Sequence, residues 1–264
     1  MISHNLLKMV VKPKIYSFSR LGTFENCEAS YKLGYIDKVE NVENFWSSLG
    51  SISHSIIEEV EQGKIQRSQL VYEFTKRYGE MPVQAPFKAI ATNAYNGLHK
   101  YFSNYKGFST KNLVIEEEFY VKFDHFWLRG YIDMYGNDKD GNITIIDHKI
   151  SNPKGSSWET EKKIRQLYLY SSYIWLKFGK FPKWLVFNFI KENTYIREPF
   201  DLDKFKESVQ WMKDTVKKIE DAENNEGYVY NANFSDFFCS NICGVRNSCP
   251  FYQKKDLLNK LSNV

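Results

Sequence analysis

Three charged residues in two strand-like segments have the types and spacing of a metal-dependent catalytic centre. Asp133 ends the run Gly130–Asp133, and Asp147 and Lys149 lie in the run Ile145–Lys149. Side chains alternate between the faces of a strand, so Asp147 and Lys149 point the same way. If a hairpin places Asp133 beside Asp147, two carboxylates and an ammonium group surround one point. Carboxylate oxygens suit Mg²⁺ or Mn²⁺, and either ion can activate water for attack on a phosphodiester.

The Asp147-x-Lys149 pattern alone does not indicate catalysis, because Asp-x-Lys is common on solvated strand faces as a weak ion pair. Other polar residues must support the interpretation. On a helix, His54 and Glu58 would share one face. Imidazole can bind Mn²⁺, although a lone helical histidine is more often structural. Gln166 and Tyr170 have the same spacing on a later helix, where they could contact one strand of a nucleic acid or simply pack.

In this order, the residues resemble the motifs of the RecB-like PD-(D/E)XK nucleases. The motifs are GxxxH at Gly50–His54, GxxD at Gly130–Asp133, D-x-K at Asp147–Lys149 and QxxxY at Gln166–Tyr170. Many members carry glutamate where this chain has Asp147, and aspartate still supplies a carboxylate.

The resemblance implies a role for each motif residue. It implies a Mg²⁺ or Mn²⁺ site formed by His54, Asp133, Asp147 and the backbone carbonyl of His148. It also implies that Lys149 is the catalytic lysine, acting with the two aspartates, and that Gln166 and Tyr170 contact DNA. Glu116 and Glu118 share a strand face, but an acidic run at the start of a strand more often faces solvent. They are therefore not included among the predicted ligands.

Four cysteines, three of them within eleven residues, predict a second site. In a reducing compartment such clustering indicates a metal or cluster site rather than disulfides. The run Cys239-x3-Cys243-x5-Cys249 resembles that of an iron–sulfur subset of these nucleases, which includes AddB-type subunits and CRISPR-associated exonucleases. This resemblance implies a [4Fe–4S] cluster completed by Cys27. The usual first spacing is two residues, so this chain departs from it, and zinc is the main alternative.

A basic cluster follows the D-x-K strand and has two interpretations. It contains Lys154, Lys162, Lys163 and Arg165. These cations could neutralise a phosphate backbone, or they could lie on a solvated helix face. Trp158 could stack on unpaired bases, whereas Tyr168 and Tyr173 are expected in the core.

The elements that would position these residues predict an α/β fold with a central mixed sheet flanked by helices, which the resemblance identifies as restriction-endonuclease-like. Helices are predicted at 17–35, 44–62, 67–79, 86–104, 159–178 and 201–223, and strands at 113–123, 126–135, 142–150, 183–191 and 194–200. The first three strands form a hairpin meander. We expect a single nuclease domain over 1–264, with a mainly helical part at 1–110, a core at 111–223, and an iron–sulfur segment at 224–264 joined to Cys27.

Composition narrows the functional class. The 264 residues carry a net charge of +4. This charge is compatible with a local basic groove that binds nucleic acid, but it does not by itself indicate one. We find no apolar run long enough to span a membrane and no signal peptide, so a cytosolic protein is expected. No phosphate-binding GxxxxGK[ST] loop is present, so any unwinding would need a helicase, recombination or adaptation partner.

The expected function is an exonuclease acting on DNA ends, in recombination, repair, replication or CRISPR adaptation. The alternatives are a silent DNA-end or single-strand binding module and a structure-specific endonuclease.

Overall fold

Helices and strands alternate along the chain much as predicted. The computed structural model describes residues 13–152 and 157–254, and the side chains of all of these except 157–161. The strands are β1 (Lys14–Tyr16), β2 (Lys111–Phe123), β3 (Phe126–Asn137), β4 (Ile143–Lys149), β5 (Trp184–Phe189) and β6 (Thr194–Pro199). The helices are α1 (Phe18–Asn26), α2 (Glu28–Tyr31), α3 (Phe45–Glu61), α4 (Leu70–Gly79), α5 (Lys88–Ser103), α6 (Ser157–Phe178), α7 (Leu202–Glu223) and α8 (Asp236–Asn241).

The six strands form one mixed sheet in the order β1-β3-β4-β5-β6, with β2 also paired to β3. Strands β2, β3 and β4 form the predicted antiparallel meander. Strand β5 runs parallel to β4, which requires a long crossover, here supplied by α6. Strand β6 then returns antiparallel to β5. The predicted central mixed sheet is therefore confirmed.

Helices cover both faces of the sheet and create two apolar cores. On one face, Ile145 and Phe187 pack in a core that includes Leu167 of α6 and Val216 of α7. On the other face, Ile146 belongs to a second core built mainly by α3, α4 and α5. Strand β4 therefore needs apolar side chains on both faces, which explains the adjacent isoleucines Ile145 and Ile146.

Polar caps define where several helices begin. The Ser17 hydroxyl accepts a hydrogen bond from the Arg20 amide at 3.1 Å, and Asp201 caps α7 in the same manner. Asn44 caps α3 through a reciprocal arrangement with Ser47. Each cap satisfies amides that have no partner within the first helical turn.

The helix predicted at 17–35 is wrong at its centre. Cys27 has extended backbone angles, φ −162° and ψ 104°, and separates α1 from α2. The chain then continues in a π-helical turn, Lys32–Ile36. The amide of Ala29, just past the break, donates to the Asn231 carbonyl at 3.0 Å. A contact with a distant segment therefore replaces the helical pattern at this point.

The C-terminal segment packs beside this break. Asn231 donates to Glu28 from both its backbone and its side chain. Farther along, the Val42 amide donates to the Gly244 carbonyl at 2.7 Å. Within the described ranges, the molecule contains no helix with the length and apolarity needed to cross a membrane.

Candidate functional site

Strands β3 and β4 bring Asp133 and Asp147 to one end of the sheet. The backbone amide of His148 donates to Asp133 Oδ2 at 2.7 Å, which links the two strands beyond their regular pairing. Because Asp147 and His148 are almost fully buried, this end of β4 is held by packing on both faces. The two carboxylates are thus fixed on strands rather than carried by loops.

Helix α3 contributes an imidazole to the same point. His54 Nε2 lies 3.0 Å from the His148 carbonyl oxygen, and its Nδ1 lies 3.6 Å from Asp133 Oδ2. Adjacent ligands on an octahedral Mg²⁺ ion with bonds of 2.0–2.1 Å are about 2.9 Å apart. The imidazole and the carbonyl therefore have the separation of two ligands of one ion.

Lys149 connects the carboxylates to helix α6. Its Nζ lies 2.7 Å from Asp147 Oδ2 and donates to Gln166 Oε1 at 2.9 Å. The Gln166 amide in turn donates to the Tyr170 hydroxyl at 2.9 Å. The structure thus joins the D-x-K and QxxxY motifs in one hydrogen-bonded chain. Tyr170 is buried, so its ring packs while Gln166 orients the lysine.

The electrostatics of the site favour a bound cation. Burial, followed by the charge of Asp147, raises the pKa of Asp133 well above its ordinary value. Burial also lowers the pKa of His54, so its ring is neutral and can act as a ligand. Two facing carboxylates in a dry site are costly without a compensating positive charge. A divalent ion would supply that charge.

Glu116, which sequence reasoning excludes from the ligands, lies in this centre. One ligand atom each from His54, Glu116 and Asp133 lie within 4.8 Å of one another. The pairs Ile115–Met134 and Glu117–Ile132 flank Glu116 and place it opposite Asp133. Its φ of 51° is in the left-handed region, which is uncommon for a residue other than glycine. The sequence did contain a signal that could have identified Glu116. A hairpin that turns at Asp124 and His125 pairs Glu116 with Asp133.

We expect Glu116→Ala to weaken Mn²⁺ binding by about 10- to 100-fold, because it removes a carboxylate from the ligand cluster. Isothermal titration of Mn²⁺ into the protein without DNA measures this directly. Glu117→Ala is the matched control, since Glu117 instead pairs with Lys177 at 2.6 Å. Equal Mn²⁺ affinity in the two variants would remove Glu116 from the site.

Gly130 of the GxxD motif is required by close packing. A Cβ atom at this position would lie 2.5 Å from the Phe119 ring and 2.8 Å from the Tyr170 ring. Gly50 of the GxxxH motif differs, since its nearest neighbour would be Ile150 at 3.6 Å, an ordinary contact. Gly130 thus allows Tyr170 to approach β3.

Gly130→Ala is predicted to destabilise the protein by roughly 1–3 kcal/mol, because both rings must move. The melting temperature should fall by about 2–10 °C. Gly22→Ala in α1 is the control: its Cβ would meet nothing within 4 Å, and loss of a helical glycine stabilises by about 0.5–1 kcal/mol. Calorimetry that found both variants equally stable would contradict the packing argument.

The predicted DNA-contacting cations lie on α6, but they have protein partners. Lys162 and Arg165 each lie 3.3 Å from a Glu25 oxygen. The Arg165 guanidinium also lies 4.9 Å from the centre of the Trp211 ring. Lys163 donates to Ser151 at 3.3 Å. These contacts partly compensate the charge that was predicted to face phosphate.

The predicted nucleic-acid contacts also included Lys154 and Trp158. Lys154 and the side chain of Trp158 lie outside the described residues. Tyr168 is buried in the core, and Tyr173 packs against it.

The four cysteines line one small cavity between the break at Cys27 and the C-terminal segment. Their neighbours there include Phe234, Phe238 and Phe251. Burial, with the neighbouring thiols of Cys239 and Cys249, raises the pKa of the Cys243 thiol. Ser30 Oγ lies 3.9 Å from Cys243 Sγ. Residues more than 200 positions apart in sequence therefore meet in one apolar pocket lined by thiols.

Four thiols in one cavity are compatible with either of the two candidate groups. Tetrahedral zinc with Zn–S bonds of 2.3 Å places its thiolates about 3.8 Å apart. Within residues 13–152 and 157–254, no three of the cysteine sulfurs lie within 4.8 Å of one another. A cubane cluster holds its thiolates farther apart, because each binds a different iron atom.

Comparison with known proteins identifies the family. The family model for the PD-(D/E)XK nuclease superfamily matches residues 15–250. Among solved structures, the chain is similar to an exonuclease candidate from Eubacterium rectale, with 13% identity and a TM-score of 0.53 over 89% of this chain and 91% of that one. At this identity the likeness shows the fold alone.

Two other comparisons add nothing to the assignment. The structure of SSO0001 aligns with 16% identity over 89% of this chain and 95% of that one, but its TM-score of 0.33 carries no argument. A search of curated proteins finds no match. The family match covers most of the chain, and the proposed motif residues lie within the matched range. The chain therefore belongs to the PD-(D/E)XK nuclease superfamily, and this membership implies a metal-dependent nuclease.

Proposed function

We propose that this protein is a Mg²⁺- or Mn²⁺-dependent deoxyribonuclease that removes nucleotides from DNA ends. The observation that carries the proposal is the meeting of ligand atoms from His54, Glu116 and Asp133 within 4.8 Å, beside the pair formed by Asp147 and Lys149. Each group comes from a different element or strand position, so the fold itself assembles the set.

The residues present fit a divalent ion. His54, Asp133, Asp147 and the His148 carbonyl would hold it, with Glu116 beside them. When bound, such an ion supplies Lewis-acid activation of water and neutralises charge on the phosphodiester. The protein keeps these donors in place through the His148 amide, which donates to Asp133 at 2.7 Å.

Lys149 would act on the reacting groups themselves. Its ammonium group lies beside Asp147 and is oriented by Gln166 at 2.9 Å. From this position it can orient the attacking water, or donate to an oxygen of the phosphate as negative charge builds up on it. Tyr170 supports the lysine indirectly through its hydrogen bond with Gln166. Gln166 itself would contact DNA from the open side of α6.

The four thiolates would hold a [4Fe–4S] cluster with a structural role. The meeting of the four cysteines at one cavity supports this assignment. Such a cluster would tie Cys27 to Cys239, Cys243 and Cys249, and so fasten the C-terminal segment to α1 and α2. The contacts of Asn231 with Glu28 lie beside the same junction.

The alternative is a catalytically silent module that binds DNA ends or single strands. Such a module would have no need of Lys149 held at 2.7 Å from a buried carboxylate. The ion pair beside the ligand cluster therefore favours catalysis.

Digestion of linear and covalently closed circular single-stranded DNA by the wild type with Mn²⁺ tests the proposal. An exonuclease degrades the linear form and leaves the circle intact. Equal cutting of both forms would establish an endonuclease instead. Binding without cleavage of either form would support the silent module.

A further inference from the structure

In the described part of the chain, no helix covers one face of the β2–β3 hairpin. Three directly opposed pairs occupy it: Glu118 with Tyr131, Tyr120 with Arg129, and Lys122 with Trp127. We name these six residues the hairpin face. The alternate residues of both strands, Phe119, Val121, Phe126, Leu128 and Ile132 among them, are buried in the core beneath it. The hairpin face is therefore the solvent side of a rigid two-stranded ribbon.

Aromatic and cationic side chains dominate this surface. Tyr120 is 45% exposed and Tyr131 is 43% exposed, so both rings are accessible to a ligand. The Arg129 guanidinium lies 5.8 Å from the Tyr120 ring centre and 5.2 Å from that of Tyr131. Exposed rings alternating with cations are typical of surfaces that bind unpaired nucleic acid.

Glu118 organises the surface. Its Oε1 accepts hydrogen bonds from the hydroxyls of Tyr120 at 2.9 Å and Tyr131 at 2.8 Å. It also accepts from Arg129 Nε at 2.6 Å. The single carboxylate of the hairpin face is thus engaged by three donors. The rings and the guanidinium are held in place before any ligand arrives, which reduces the entropic cost of binding.

The hairpin face continues directly into the metal centre. The next opposed positions along the ribbon are Glu116 and Asp133, which belong to the ligand cluster. Strand residues rise about 3.3 Å each, so Trp127 lies roughly 20 Å along the ribbon from Asp133. That distance accommodates several nucleotides of an extended single strand.

We propose that the hairpin face binds a single-stranded segment of DNA and delivers it to the metal centre. Unpaired bases stack on Tyr120 and Tyr131, and Lys122 neutralises an adjoining phosphate. Duplex DNA does not use these rings, because its bases are already stacked. The inference rests on the proposed nuclease function and adds the path of the substrate to it.

The test is fluorescence anisotropy of a labelled oligodeoxythymidine of about 12 nucleotides, with Ca²⁺ replacing Mn²⁺ to prevent cleavage. The double variant Tyr120→Ala/Tyr131→Ala should bind at least about tenfold more weakly than the wild type, because two stacking platforms are lost. The double variant Tyr120→Phe/Tyr131→Phe keeps both rings and should bind within about threefold of the wild type. Tyr72→Ala, which removes a 65% exposed tyrosine from α4, controls for loss of any surface ring.

Wild-type affinity in the alanine variant would overturn the inference, as would an equal loss of affinity for a duplex of the same length. Loss of binding in the phenylalanine variant would also overturn it, since stacking would then not be the cause. Hydrolysis of bis(p-nitrophenyl) phosphate by the wild type with Mn²⁺ reports on the metal centre separately, because this diester is too small to reach the hairpin face. Wild-type hydrolysis combined with unaltered oligonucleotide binding by the alanine variant would refute the path and leave the proposed function standing.

Discussion

Replacing Lys149 with alanine is expected to reduce DNA cleavage by about 100- to 1,000-fold, because it removes the ammonium group aimed at the reacting phosphate. The change should appear in single-turnover rates on end-labelled DNA with saturating Mn²⁺. Mn²⁺ binding should persist, since the proposed ligands are other residues. Removal of this cation from beside Asp147 would, if anything, strengthen the attraction of that carboxylate for a metal.

Two comparisons separate this effect from general damage to the protein. Lys177→Ala removes a different lysine, which pairs with Glu117 rather than with the metal centre. Its cleavage rate should stay within a few-fold of the wild type. If Lys149→Ala kept more than about a tenth of wild-type activity, Lys149 would not be the catalytic lysine.

The second large effect is expected at the thiol-lined cavity. Cys27→Ser should abolish the brown absorbance near about 400 nm that is expected of a [4Fe–4S] cluster. It should also destabilise the protein by roughly 2–5 kcal/mol, as loss of a cross-link that closes a long loop does. The melting temperature would then fall by roughly 5–15 °C. Anaerobic purification, metal analysis and calorimetry measure all three quantities.

Ser30→Ala is the control for this prediction. Its hydroxyl lies 3.9 Å from Cys243 Sγ, but it is not one of the four proposed ligands, so the chromophore should remain. Wild-type protein that contained stoichiometric zinc and no iron would contradict the cluster assignment. Unchanged stability in Cys27→Ser would contradict its structural role.

Periodicity and spacing predicted the sheet and the residues that meet on it. The alternating pattern around Asp147 predicted a strand whose Asp147 and Lys149 side chains share a face, and the 2.7 Å ion pair shows that they do. The turn residues between β2, β3 and β4 predicted the meander. These features depend on local chain geometry, so the sequence alone contained enough information for them.

Features that depend on distant contacts could not be predicted in the same way. The break at Cys27 lies within a good helical pattern, and it is accompanied by the contact of the nearby Ala29 amide with the distant Asn231 carbonyl. Strand β1 has three residues, too few to show a period, and it forms by parallel pairing with β3. The ion pairs of Glu25 with Lys162 and Arg165 join residues about 140 positions apart.

Glu116 illustrates a third limit, where a general expectation about solvated acidic runs was wrong for one residue. Glu117 and Glu118 do pair with surface cations, Lys177 and Arg129. Glu116 instead lies with Asp133 and His54, because the β2–β3 register places it opposite Asp133. Three adjacent glutamates thus take three different roles, which their residue type alone does not distinguish.

The most direct test of the central claim is cleavage of end-labelled linear single-stranded DNA by wild-type protein with Mn²⁺, beside Asp133→Ala under the same conditions. Asp133 is chosen because it contacts both the His148 amide and the His54 ring. The wild type should release labelled nucleotides, stop when EDTA is added and resume when Mn²⁺ is restored, and the variant should release none. Cleavage that continued in EDTA, or that survived in folded Asp133→Ala, would contradict a metal-dependent nuclease centre at this site.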